Sequence, residues 1–111
     1  MINTVKEYLD EFGNSIYAQW LNSIKDPRAK ARIIMQVDKI ELGLFGDSQP
    51  IGNGLSELRV HFGPGYRVYY AKQGKCCYLL LLGGNKSTQP KDIKLAKKYW
   101  KDHGQRTKRG T

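Results

Sequence analysis

The side chains of this sequence best suited to chemistry are Arg59, His61, Arg67 and Lys86, with Tyr69 and Ser87 close to them in the chain. Alternate residues of a strand share a face. Arg59 therefore goes with His61, and Arg67 with Tyr69, on two strands separated by Gly63-Pro64-Gly65. If Val68 enters the core beside Val60, all four converge on one sheet face, with Lys86 and Ser87 at its rim. Such a patch has the parts for cutting RNA at a phosphodiester. The attacking 2′-hydroxyl must lose a proton, and imidazole is the side chain that exchanges one near neutrality. The phosphorane gathers negative charge that guanidinium groups neutralise with matched geometry. An aromatic such as Tyr69 offers a base a stacking surface. Each residue also has a plainer role: Arg59 can pair with Glu57, Arg67 with the acidic first half, and Tyr69 can simply cover the sheet. No metal is expected, because Glu57 is the sole nearby carboxylate and one carboxylate holds Mg²⁺ poorly.

The elements that must position these groups follow in order. Residues 2–9 fit either a strand or a first helical turn, and Gly13-Asn14 ends the segment. Ser15 is suited to cap a helix reaching about residue 24, with Ile16, Trp20, Leu21 and Ile24 on one face. Asp26 and Pro27 open a second helix, in which Ile33, Val37, Ile40 and Leu44 recur at helical spacing before Gly43 offers a stop. The two predict an antiparallel helical hairpin. Residues 43–54, with four glycines and a proline, read as a connecting loop. Three strands then form a meander at about 55–62, 66–72 and 75–82, turning at Gly63-Pro64-Gly65 and Gln73-Gly74. The last is apolar on both faces and should lie between covering layers. A final helix from about residue 88 or 90 to 103 turns Ile93, Ala96 and Trp100 inward and exposes lysines, Lys91 and Lys94 among them. The fold class is thus α+β, with one domain over residues 1–103 and a basic, disordered tail at 104–111.

Charge narrows the partners. The 111 residues carry a net charge of +9, and its distribution is uneven. Residues 1–54 hold six Lys/Arg against seven Asp/Glu, whereas residues 55–111 hold thirteen against three. A cationic half suits a polyanion, since each neutralised phosphate releases condensed counterions. The longest apolar run is far too short to cross a membrane. The N-terminus lacks a secretion signal's layout. Cys76 and Cys77 are adjacent, so they point to opposite faces and make neither an ordinary disulfide nor a metal site. With only two histidines besides, structural zinc is not expected. These features lead us to expect a cytoplasmic protein without cofactor or membrane partner.

Gly-Leu-Ser-Glu-Leu-Arg-Val-His-Phe-Gly-Pro-Gly-Tyr-Arg-Val-Tyr-Tyr at 54–70 resembles the signature of HigB-type addiction-module killer proteins, within the RelE/ParE toxin superfamily. Leu-Leu-Leu-Gly-Gly-Asn-Lys-Ser-Thr-Gln at 80–89 is similar to their next block. Trp-Leu-Asn-Ser-Ile-Lys-Asp at 20–26, Arg-Ala-Lys-Ala-Arg-Ile at 28–33 and Lys-Tyr-Trp-Lys at 98–101 fit the same pattern. The resemblance implies a RelE-like fold: an N-terminal strand, a helical hairpin, an antiparallel sheet and a C-terminal helix. It therefore favours a strand for residues 2–9. It further implies the toxin of a type II toxin–antitoxin system, a metal-independent mRNA endoribonuclease working at the ribosome. The partners it implies are mRNA, the ribosome and a HigA-like helix-turn-helix antitoxin. By motif position Arg59, His61, Arg67 and Lys86 are the catalytic candidates, and Tyr69, Ser87, Lys91 and Lys94 the RNA-binding ones. The C-terminal tyrosine or histidine used by some members has no match, because Thr88 and Gln89 stand there, so His61 is the candidate base. Two other functions remain open: a ParE-like gyrase inhibitor that cuts nothing, and a plain nucleic-acid-binding module.

Overall fold

The computed structural model describes residues 2–109, with side chains for residues 2–108. It is an α+β protein built on one five-stranded sheet. The strands are β1 (Thr4–Glu7), β2 (Asp47–Gly52), β3 (Leu55–Val60), β4 (Tyr66–Gln73) and β5 (Cys77–Asn85). Their order is β1-β5-β4-β3-β2, antiparallel except where β1 runs parallel to β5. Residues 2–9 thus supply the N-terminal strand that the resemblance implies.

Helices α1 (Ile16–Ser23) and α2 (Pro27–Asp38) form the hairpin on one face, and α3 (Gln89–Arg109) covers the other. The local signals act as expected. The Ser15 side chain accepts a hydrogen bond from the Ala18 N–H at 3.0 Å. Asp26 accepts one from the Arg28 N–H at 2.9 Å, with Pro27 in the first turn. Each cap satisfies a donor that a helix start leaves without an intrahelical partner. A 3-10 turn at Lys39–Leu42 then ends on Gly43, whose φ of 77° suits glycine. Ile33, Val37 and Ile40 are buried, but Leu44 lies beyond this stop and is exposed.

The sheet sorts its side chains by parity. Leu58, Val60, Val68, Tyr70, Tyr78 and Leu80 face the helical hairpin. Leu55, Tyr69, Ala71, Leu79 and Leu81 face α3 and meet Ala96 there. β5 is apolar on both faces because it lies under both layers, each buried leucine contributing about 1.5–3 kcal/mol. A bulge shifts the β4–β5 register, so that Tyr69 opposes Leu82 while Tyr70 opposes Leu80. Leu81 and Leu82 consequently both enter the α3 layer.

Two expectations need correction. Residues 43–54 are not a plain loop, since they contain β2. This is an edge strand, where Pro50 removes no ladder bond the sheet needs, and it turns into β3 through Asn53 (φ 59°) and Gly54 (φ 80°). Asn-Gly is a hairpin signal, here hidden by the glycines and proline around it. Residues 104–109 are not disordered either, for α3 continues to Arg109. Arg106 holds that end in place. Its Nε donates to Asp102 at 2.9 Å, Nη2 donates to the Leu9 carbonyl, and the guanidinium lies 5.2 Å from the Tyr8 ring centroid. Residues 110–111 lie outside the described residues.

His103 introduces a pH dependence. Its ring stacks on Trp100 with centroids 6.0 Å apart, and its buried Nε2 has no hydrogen-bond partner. Desolvation lowers its pKa first, the positive charge of Arg106 next and that of Lys6 least, while Asp102 opposes them. The unfolded chain therefore takes up this proton at a higher pH than the folded protein does. Stability contributed by neutral His103 is complete above the unfolded value, about 6.5, and declines as pH falls below it. Urea unfolding at pH 7.5 and 5.5 should show this loss, and His103→Gln should flatten it. An identical slope in the variant would assign the effect elsewhere.

Candidate nucleic-acid interface

The end of the sheet where β3 turns into β4 carries a cleft of about 240 Å³. Arg59, His61, Arg67 and Lys86 line it, with Gly65 and Tyr66 between them. β3 and β4 pair with Arg59 opposite Arg67, which sets two guanidinium groups side by side on the α3 face. Lys86 starts the 3-10 turn Lys86–Thr88 after β5, and its N–H donates to the Gly65 carbonyl at 3.0 Å, tying the two turns together. All four proposed catalytic residues therefore meet in one place.

The others are distributed differently. Tyr69 is fully buried between sheet and α3, so its ring is no open platform for a base. The shared face is right, but on a sheet whose α3 side is covered, position on a face does not confer access. Ser87 is exposed beside Lys86 and donates its hydroxyl to Asn85 Oδ1 at 2.6 Å. Lys91 and Lys94 stand on α3 and line a separate shallow groove with Pro90 and Leu95.

An acid that reads as unremarkable in the sequence organises this site. Glu57 is 1% exposed, and its two oxygens gather four neighbours. Arg59 Nε donates to Oε2 at 3.2 Å, and Arg67 Nη1 lies 3.0 Å from the same oxygen. The latter contact is coulombic, since Nη1 is not aligned to donate. Gln89 Nε2 donates to Oε1 at 2.7 Å, with the Tyr69 hydroxyl more distant at 3.4 Å. A carboxylate this deep persists only when paired and hydrogen-bonded. It offsets one of the two guanidinium charges and fixes both groups. The Tyr69 hydroxyl, raised in pKa mainly by burial and further by the charges of Glu57 and Asp92, stays a neutral donor.

A second acid works from the edge. The β2–β3 register sets Asp47 opposite Arg59, and Asp47 Oδ2 lies 2.6 Å from His61 Nε2. The hydrogen bond from His61 is the largest influence holding the Asp47 pKa below the ordinary carboxylate value. Asp47 is thus ionised at neutral pH and can only accept, so Nε2 must be the donor. In the neutral ring Nδ1 then carries the lone pair. Asp47 falls within residues expected to be a loop, and only the register of β2 reveals its role. Among the described residues, no three His, Cys, Asp or Glu side chains are grouped as a metal site requires. No helix among them is long and apolar enough to cross a membrane.

The profile of one family, described as Phage derived protein Gp49-like (DUF891), matches residues 19–101. The chain belongs to this phage-derived Gp49-like family. The matched region runs from within α1 through most of α3 and contains every residue that lines the cleft. The chain is also similar to an uncharacterized protein of Haemophilus influenzae, 46% identical over 81 residues, which covers 73% of this chain and 82% of the relative. The Gp49-like family is of the RelE toxin type, a coarser placement than the HigB group.

Proposed function

We propose that this Gp49-like protein is the toxin of a type II toxin–antitoxin pair and cuts mRNA at the ribosome without a metal ion. The observation that carries this reading is the His61–Asp47 pair standing beside two guanidinium groups locked by a buried carboxylate. His61 Nδ1 takes the 2′-hydroxyl proton as O2′ bonds to phosphorus, and the bond from phosphorus to the 5′-oxygen breaks. The products are a 2′,3′-cyclic phosphate and a 5′-hydroxyl, with Lys86 as the acid that protonates the leaving oxygen. Arg59 and Arg67 meet the charge of the phosphorane, and Glu57 keeps them from needing to reorganise as it forms. The antitoxin, a HigA-like helix-turn-helix protein, would act by closing the cleft or displacing a side chain from it.

Induced expression should arrest growth and generate new RNA 5′-hydroxyl ends, mapped by sequencing, within coding regions. His61→Ala should suppress both. Arrest with intact RNA and altered plasmid supercoiling would overturn the reading in favour of gyrase inhibition.

A further inference from the structure

The burial of Tyr69 leaves the cleft without an aromatic surface on its α3 side. On the other side Tyr66 lines the cleft but is held edge-on by Trp20, and beyond it stands Phe62, the residue directly after His61. Its backbone is pinned, the N–H donating to Val60 at 3.0 Å and the carbonyl accepting from Gly65 at 3.1 Å. Its ring leaves the sheet end toward α2 and helps form a second groove, of about 370 Å³, with Arg28, Ala31, Arg32 and Met35. The Arg32 guanidinium carbon lies 5.1 Å from the Phe62 ring centroid and that of Arg28 5.8 Å away. Arg28 also touches Asp26 at 3.5 Å, an exposed contact that leaves it largely free, and no carboxylate among the described residues pairs with Arg32. Met35 is 46% exposed at the groove's edge.

We infer that this Phe62–Arg32 groove is a stacking subsite for an unpaired nucleobase, next to the phosphate cleft at His61. The inference rests on the function proposed above and extends it from the scissile phosphate to the neighbouring nucleotide. With the Arg32 guanidinium already 5.1 Å from the Phe62 ring, a planar base lies on the open side of this pair, against the guanidinium plane or the ring, both of which stack on its π-face. Consecutive residues, His61 and Phe62, face the two cavities, so one strand can place a phosphate in the first and its base in the second. The groove is lined by aliphatic, aromatic and guanidinium groups and carries no carboxylate, amide or hydroxyl, so it offers a base stacking area and N–H donors. A paired base, already stacked within a duplex, is excluded.

Binding of a fluorescent 2′-O-methyl RNA octamer, which cannot be cut, tests this, with inorganic phosphate followed separately by ³¹P NMR. Phe62→Ala should bind the octamer about 5- to 150-fold more weakly, the range for losing one base stack. Phosphate binding should be unchanged, and Phe62→Trp should restore the octamer. Arg32→Ala should weaken the octamer too, as a check independent of any local collapse at Phe62. Octamer binding unaltered in Phe62→Ala and Arg32→Ala overturns the inference while leaving the cleavage reading intact. Equal loss of octamer and phosphate overturns it as well, since Phe62 would then be structural. A wild-type protein that binds neither probe overturns this inference, while the cleavage reading, which places the reaction at the ribosome, is decided by the 5′-hydroxyl ends.

Discussion

Arg67→Ala should lower RNA cleavage by about 10²–10³-fold. A guanidinium aimed at the transferring phosphate acts on charge that exists mainly in the transition state, and one such donor is typically worth about 2.7–4 kcal/mol. The sequence would lead one to expect no cost in stability, but the structure requires one. The Arg67 side chain is only 12% exposed and lies against a carboxylate that is 1% exposed. Removing one member of a buried pair costs up to about 3–5 kcal/mol, because the remaining charge stays behind. Arg59 and Gln89 still engage Glu57, so the loss should fall below that limit. The double variant Arg67→Ala/Glu57→Gln removes the stranded charge and should recover stability without recovering cleavage. Urea unfolding and counts of 5′-hydroxyl ends separate the two effects. Cleavage near wild-type level in Arg67→Ala would remove Arg67 from the chemistry.

Gly83→Ala should destabilise the fold by about 3 kcal/mol or more, at the upper end of overpacking costs. Gly83 pairs with Val68 on the face covered by α1, and an added Cβ would overlap the six-membered ring of Trp20. That ring cannot simply swing away. It packs against Tyr17 with centroids 6.1 Å apart and meets Tyr66 edge-on at 6.2 Å. Tyr66 also lines the cleft, so the disturbance reaches the site. A melting temperature lower by on the order of 10 °C is expected for a chain of this size. Gly83→Ala/Trp20→Leu should regain much of it. A single variant melting within a few degrees of wild type would show that α1 yields more easily than this packing implies.

Much of the scaffold was written locally. Ser15, Asp26 with Pro27, and Gly43 act within one helical turn, so their caps can be recognised without knowing what the helices pack against. Parity on β3 and β4 likewise sorted Arg59 and Arg67 to one face, strand order set Lys86 at its rim, and the resemblance favoured the N-terminal strand. Tertiary structure decided the rest, because the deciding partners are distant in sequence. Tyr69 became inaccessible only when α3 closed over its face. β2 was obscured because an exposed edge strand needs no apolar alternation, so glycine and proline there looked like a loop. With it went Asp47, which meets His61 only through the β2–β3 register. Arg106 anchors the end of α3 to carbonyls 96 and 97 residues earlier, a contact that composition cannot signal. Glu57 is the clearest case. Between a serine and a leucine on a strand it reads as a solvated acid, and its burial follows from Gln89, 32 residues further on, and from Arg67 across the ladder. A charge can be buried only where the fold brings its counter-charges to it, so its role was settled by the assembly of β3, β4 and α3.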